Sequence, residues 1–410
     1  MKIFQILFLI IFVVTTSTAC SAGSRVVSKN FSKSVNNFSW NYFKTLDKNK
    51  NIFYSPYSIS AALSMVANGA TGKTQKEILA ALGTKSLDSL NDDFKNFRKF
   101  AEKNYTNGTI LKSADLILIN QNFVSNGVNS KFEKIVKDAY QSEVKAADFS
   151  GNLNAEKAKI RNWVSKNTNN FIYGYQAEID SETIVDILDV IYFKSKWANP
   201  FNESKTWKSD FTNKDGAKSK VKMMSKTFED SMVYYSDEKY MSIVLPYQKN
   251  LAEMYLILPV DENNLNVAES WDAEENSYKE DFFANVNDSS VFEGKVEVFV
   301  PKFELDIKNN LNESLQAMEI IRPFYDDAEF YNIFKKMQLK ISQVTHQAKV
   351  KVDESGTEAA AVTEIGMVGA TAVETPPQTV YFRADRPFLF VIRDVASGID
   401  LFTGVVNELK

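Results

Sequence analysis

The sequence predicts an α+β fold with a large sheet, and three observations carry that expectation. Helix signals crowd the first part of the chain, strand-like runs crowd the rest, and one internal run is apolar on both of its alternating faces. Ser55-Pro56 opens a helix, with Ser as N-cap and Pro at the first helical position, and Gly69 reads as following its end. Thr74-Gln75-Lys76-Glu77 reads as a capping box opening the next helix, which stops at Gly83. The run 183–193 has the two-faced apolar character of a central strand covered on both sides. Runs 241–245, 254–258, 295–300 and 388–392 are short and rich in β-branched or aromatic residues, so they read as further strands.

Composition limits the chemistry. The chain has 410 residues, 48 Lys+Arg against 52 Asp+Glu, one Cys and one His. A lone Cys makes no internal disulfide, and one Cys with one His builds no zinc site of the usual type, so a packed core must supply stability and no metal or cofactor is expected. The net charge of −4 argues against nucleic-acid binding. Lys2 followed by an apolar run over residues 3–14 and the small residues Ser17, Thr18 and Ala19 reads as a signal peptide within residues 1–22, too short to span a bilayer. Cys20 after Ser17-Thr18-Ala19 also resembles a lipobox, so the expectation is a secreted protein or one anchored by lipid at Cys20. Sequons occur at Asn30, Asn37, Asn104, Asn107, Asn202, Asn287 and Asn312, and no linker divides the rest of the chain.

Two motifs are decoys. Residues 67–74 satisfy a loose phosphate-loop pattern, but the preceding segment is helical where a phosphate loop needs a strand. Lys95, Arg98, Lys99 and Lys103 share one helical face with Phe94, Phe97 and Ala101 opposite; this is a polyanion stripe or, better suited to an acidic chain, a solvated face over a buried one. Only His346 could serve a nucleophile, and no hydrolase signature accompanies it, so no catalytic residue is assigned.

Residues 354–367 form the segment no ordinary domain needs. At period two, Thr357, Ala359, Ala361, Thr363, Ile365 and Met367 share one face, and Glu358, Ala360, Val362 and Glu364 the other. This is a latent strand with small residues near its start, or else an Ala-rich loop or weak helix. Pro376-Pro377 closes it, a pair that no central strand accepts.

Here the residues resemble a family. Glu354, Gly356, Thr357, Glu358, Ala359, Ala360, Ala361 and Val362 are similar to the hinge of inhibitory serpins. Residues 51–59 resemble the serpin helix-B signature, Trp163-Val164 with Thr168 helix F, and 190–194 with Trp197 and Phe201 the central strand where the loop begins to insert. Leu245-Pro246-Tyr247, Pro301-Lys302-Phe303, Ala384-Asp385-Arg386-Pro387-Phe388 and Leu401-Phe402-Thr403-Gly404 continue the match. The resemblance implies one domain over 25–408, with a large mixed sheet, further sheets, eight or nine helices and an exposed reactive-centre loop. It implies a monomeric inhibitor that a serine protease attacks as substrate, forming a covalent acyl-enzyme trapped when the cleaved loop inserts as a strand. The family's spacing puts the reactive bond at Ala370-Thr371, with Val368, Ala372 and Val373 as alternatives. No Lys or Arg lies between Lys351 and Arg383, so elastase-, subtilisin- or chymotrypsin-like targets fit and trypsin-like ones do not.

Two positions depart from the family pattern, Asp189 for Asn and Ser195 for Gly. The resemblance places Ser55, Ser58, Asp189 and His346 in a polar cluster where the sheet opens, with Trp197 nearby. Asp189 and His346 are read either as an ion pair strengthened by His346 protonation or as members of a hydrogen-bonded network without a pH role.

Overall fold

Residues 26–124, 127–333, 339–357 and 378–410 are described by the structure, a computed structural model. The signal segment with Cys20, hinge residues Glu358 to Val362 and the reactive-bond candidates Val368, Ala370, Thr371, Ala372 and Val373 lie outside them.

Nine α-helices occur among the described residues: α1 (Lys29–Lys44), α2 (Pro56–Gly69), α3 (Gly72–Ala81), α4 (Leu87–Asn104), α5 (Ser130–Ile135), α6 (Leu153–Asn167), α7 (Val267–Ala273), α8 (Asn276–Asp288) and α9 (Asn312–Ala317). The strands are β1 (Ile52–Tyr54), β2 (Ile110–Asn120), β3 (Glu143–Ala147), β4 (Val185–Lys196), β5 (Trp207–Thr212), β6 (Lys218–Glu229), β7 (Tyr234–Ser236) and β8 (Tyr240–Pro246). The remainder are β9 (Ala252–Pro259), β10 (Lys295–Pro301), β11 (Phe303–Asn310), β12 (Gln343–Asp353), β13 (Gly356–Thr357), β14 (Thr379–Arg383), β15 (Phe388–Asp394) and β16 (Asp400–Val406). The five runs read as strands fall in β4, β8, β9, β10 and β15, giving the expected mixture of helix and sheet.

Three sheets form among the described residues, in the orders β1-β16-β15-β9-β8-β7, β14-β10-β6-β5 and β11-β12-β13-β4-β2-β3. The last is the main sheet, and it is mixed. β12 runs parallel to β4 over most of their length, while the short β13 lies between them at one end and antiparallel to both. The strand β4 is buried over its first nine residues because both of its faces are covered. On one side Ile187 and Ile191 join the large core that also holds α2, whose residues are all buried. On the other, Leu188 and Val190 pack with Leu116 and Leu118 of β2 under Ile160 and Val164 of α6.

Two helix boundaries differ from the sequence reading. Gly69 is the last residue of α2 rather than the residue after it, and a Cβ there would meet the Ile333 side chain at 2.5 Å. α3 begins at Gly72, and the expected capping box at Thr74 does not form. Thr74 Oγ1 instead accepts from the Glu329 N–H at 2.9 Å, and the Glu77 carboxylate accepts from the N–H groups of Ile321 and Arg322. The free amino end of α3 is served from afar: the Glu329 carboxylate accepts from Lys73 N–H at 2.6 Å. That carboxylate also occupies the amides of the phosphate-loop decoy. The stop at Gly83 is as expected, with φ +64 and the paired bonds Gly83 N–H to Ala80 and Thr84 N–H to Leu79, both 3.0 Å.

Candidate functional site

The first hinge residues already belong to the main sheet. Gly356 pairs with Asp353 on β12 and with Lys196 on β4; Thr357 pairs with Val352 and Ser195. Gly356 has φ +149, and a Cβ there would sit 2.2 Å from the Ser195 carbonyl oxygen, so the backbones approach as only Gly allows. Ser195, the departure from the family Gly, is buried and its hydroxyl pairs with that of Thr109 at 3.1 Å.

Around this mouth the contacts are specific. Trp197 stacks on Tyr247 with centroids 4.5 Å apart, and its indole N–H donates to the Asp353 carbonyl at 2.9 Å. The buried hydroxyls of Tyr247 and Thr357 lie 2.7 Å apart. Thr357 therefore points to the buried side, the face that Ala359 and Ala361 share in the sequence pattern. Glu354 is held by Lys302 at 2.5 Å and by the Thr206 hydroxyl at 2.8 Å. Burial pushes its carboxyl up, but those two bonds and a backbone N–H outweigh it and hold the group below the usual range.

The polar cluster sits deeper along the same seam. His346 and Asp189 are opposite one another on β12 and β4, both fully buried, with Nδ1 2.7 Å from Oδ2. The Ser58 hydroxyl donates to the other Asp189 oxygen, and Ser55 N–H donates to His346 Nε2 at 3.0 Å. An acceptor at Nε2 carries no proton, so His346 is a neutral imidazole whose Nδ1–H donates to Asp189. In this geometry the two are members of a hydrogen-bonded network. The four cluster residues come together; Trp197 belongs to the mouth instead.

Asp115 of β2 completes the cluster, and sequence reasoning missed it. It lies opposite Asp189 across the β2–β4 ladder, with Oδ2 accepting from Ser142 at 3.1 Å and Oδ1 buried without a partner among the described residues. Burial, and then the charge on Asp189, push its carboxyl well above the ordinary range. The one signal was an acid on the face of β2 that also carries Ile117 and Ile119 into the core.

The seam has a cover on its other face. The segment after α6 is anchored by Thr168, whose hydroxyl donates to Val164 and accepts from Ile172 N–H. It then crosses from β4 to β11. The Phe171 ring is 5.3 Å from that of Tyr192 on β4 and 5.0 Å from the Lys349 amine on β12. Lys308 of β11 donates to the Gln176 carbonyl at 3.0 Å and pairs with Glu178.

The basic stripe loses its middle. Arg98 donates to the carbonyls of Ala139 and Asp138 and pairs with Glu102, while Lys95, Lys99 and Lys103 remain over the buried Phe94, Phe97 and Ala101. Among the described residues no helix is long and apolar enough to cross a membrane.

A sequence model of the family described as Serpin (serine protease inhibitor) matches residues 33–409. The chain is 32% identical to Iris of Ixodes ricinus over 93% of its own length and 99% of that protein's. Its fold is similar to that of the thermophilic serpin tengpin in the native state, with a TM-score of 0.82, 27% identity and coverage of 93% and 95%. It is also similar to thyroxine-binding globulin in complex with thyroxine, with a TM-score of 0.76, 28% identity and coverage of 92% and 98%.

Proposed function

The chain belongs to the serpin family, whose members are generally protease inhibitors rather than enzymes, and from that premise we propose that it inhibits a serine endopeptidase as a suicide substrate. The protease serine attacks the carbonyl of Ala370, or a bond nearby, forming an ester and releasing the Thr371 amine. The freed segment then extends β13 between β4 and β12 and carries the acyl-enzyme with it, which distorts the protease before the ester hydrolyses.

The observation that carries this reading is β13 itself. It already stands between β4 and β12, antiparallel to both. Continued residue by residue in that register, position 363 falls opposite Asp189 and His346 at once, the two residues that face each other across the closed seam. The inward positions on the way are Ala359 and Ala361, whose small side chains fit beside a packed core; neither Pro nor a large charge intervenes. The lack of basic residues around the reactive bond points to elastase-, subtilisin- or chymotrypsin-like targets. Residues 1–22 support export, with Cys20 the attachment point if the product is lipid-anchored.

Incubation with elastase, subtilisin, chymotrypsin and trypsin should give an SDS-resistant complex with at least one of the first three and none with trypsin. Thr357→Arg and Ala359→Pro should turn the protein into a substrate, cleaved without complex; undiminished complex in both variants would overturn the mechanism. The likeness to thyroxine-binding globulin favours a second reading, a non-inhibitory serpin with a binding role. Cleavage of the unaltered loop by every protease, without any complex, would select it.

A further inference from the structure

One face of the β5–β6 pair carries a charge arrangement that a sheet by itself disfavours. Lys208 and Lys222 are direct cross-strand partners, and Lys220 follows two residues along the same face. Like charges placed opposite each other on neighbouring strands cost stability. Lys220 is paired with Asp210 at 2.6 Å, but among the described residues neither Lys208 nor Lys222 meets an acid. Lys302 joins them, since its N–H donates to the Lys222 carbonyl at 2.8 Å. These four lysines and Lys410 line one open groove of about 610 Å³, within the range of roughly 300–1,000 Å³ usual for small-ligand sites. Its far wall is fixed: Asn51 accepts from the N–H groups of Asn407 and Glu408 and donates to the Glu408 carbonyl. Two glutamates also border the groove. Glu304 is drawn off by Lys349 at 2.9 Å, and Glu408 lies 3.8 Å from Lys410. The result is a concentrated positive site on a chain whose net charge is −4.

We propose that this groove binds a compact oligophosphate, and that the bound anion competes with Glu354 for Lys302. A phosphate takes lysine ammonium groups as point charges and needs no planar fork, which suits a groove lined by lysines without an arginine. Linked phosphates reach Lys208, Lys222 and Lys302 together and relieve the repulsion between the first two. Lys302 is the residue that ties the groove to the hinge, through its 2.5 Å contact with Glu354. The ligand and Glu354 therefore draw on one ammonium group, and the coupling acts equally in both directions.

The test is calorimetric titration of the intact protein with inorganic tripolyphosphate at low and at physiological salt. Saturable binding is expected, weakening as salt rises, with orthophosphate at least about tenfold weaker because it reaches fewer lysines. Lys208→Gln and Lys222→Gln should each weaken binding about fivefold or more. Neither should lower the midpoint of thermal unfolding, because each removes a repelling partner. Lys95→Gln and Lys99→Gln on α4 should leave binding unchanged, and Glu354→Gln should tighten it by freeing Lys302. Absence of saturable binding, undiminished binding in the Lys208 and Lys222 variants, or an equal loss in the α4 variants overturns the site. Unchanged affinity in Glu354→Gln overturns the competition.

Discussion

Asp186 and Asp189 are both buried acids of β4, but they face opposite sides of the strand. Burial pushes the Asp186 carboxyl up to about 6, and a hydrogen bond from Gln343 at 2.9 Å offsets only part of the effect. An acid whose folded value is raised is neutral and harmless at low pH, and destabilises the fold as it ionises. Asp186→Asn keeps an acceptor for Gln343 and should stabilise the protein at pH 7.5 by up to about 3 kcal/mol, with no gain at pH 4. Denaturant unfolding at the two pH values checks this; an equal gain at both would exclude ionisation as the cause. At this scale the sequence was legible where family motifs reach. Ser55, Ser58, Asp189 and His346 could be brought together on resemblance alone. Asp115 could not, because it is one acid among 52 and its meaning depends on the β2–β4 register. The capping box at Thr74 misled for a related reason: the carboxylate serving α3 lies 256 residues from Lys73 along the chain.

The elements around the seam were easier to read than the connection that fastens it. Strands announced themselves by composition, and helix α6 by its match at Trp163-Val164. The segment following α6 has no period, because it is held side chain by side chain as it crosses three strands. Its central tie is Phe171, between Tyr192 and Lys349. Phe171→Ala removes an aromatic contact worth about 1 kcal/mol and should speed peptide insertion about fivefold. Stopped-flow or fluorescence kinetics with a synthetic peptide of residues 357–369 would measure it, and an unchanged rate would mean that the segment gives way before the slow step. Lys308→Ala, which frees the far end on β11, should act in the same direction.

For the molecule as a whole, the expected signature is a protein that becomes more stable when it is cut. Limited cleavage within residues 366–373 should raise the midpoint of thermal unfolding by more than about 10 °C, which at this size corresponds to several kcal/mol. Calorimetry before and after cleavage tests it, and equal midpoints would remove the basis for trapping a protease. The origin of that gain lies in the direction of two strands. β12 and β4 run the same way, so the seam is joined by the slanted bonds of a parallel pair, the weaker kind of ladder. Any continuation of β13 runs opposite to both. One parallel ladder would then give way to two antiparallel ones, in a sheet that gains a row of perpendicular bonds without losing an edge. The uncut protein would in this sense be metastable by topology, with the deficit confined to a single gap between two strands.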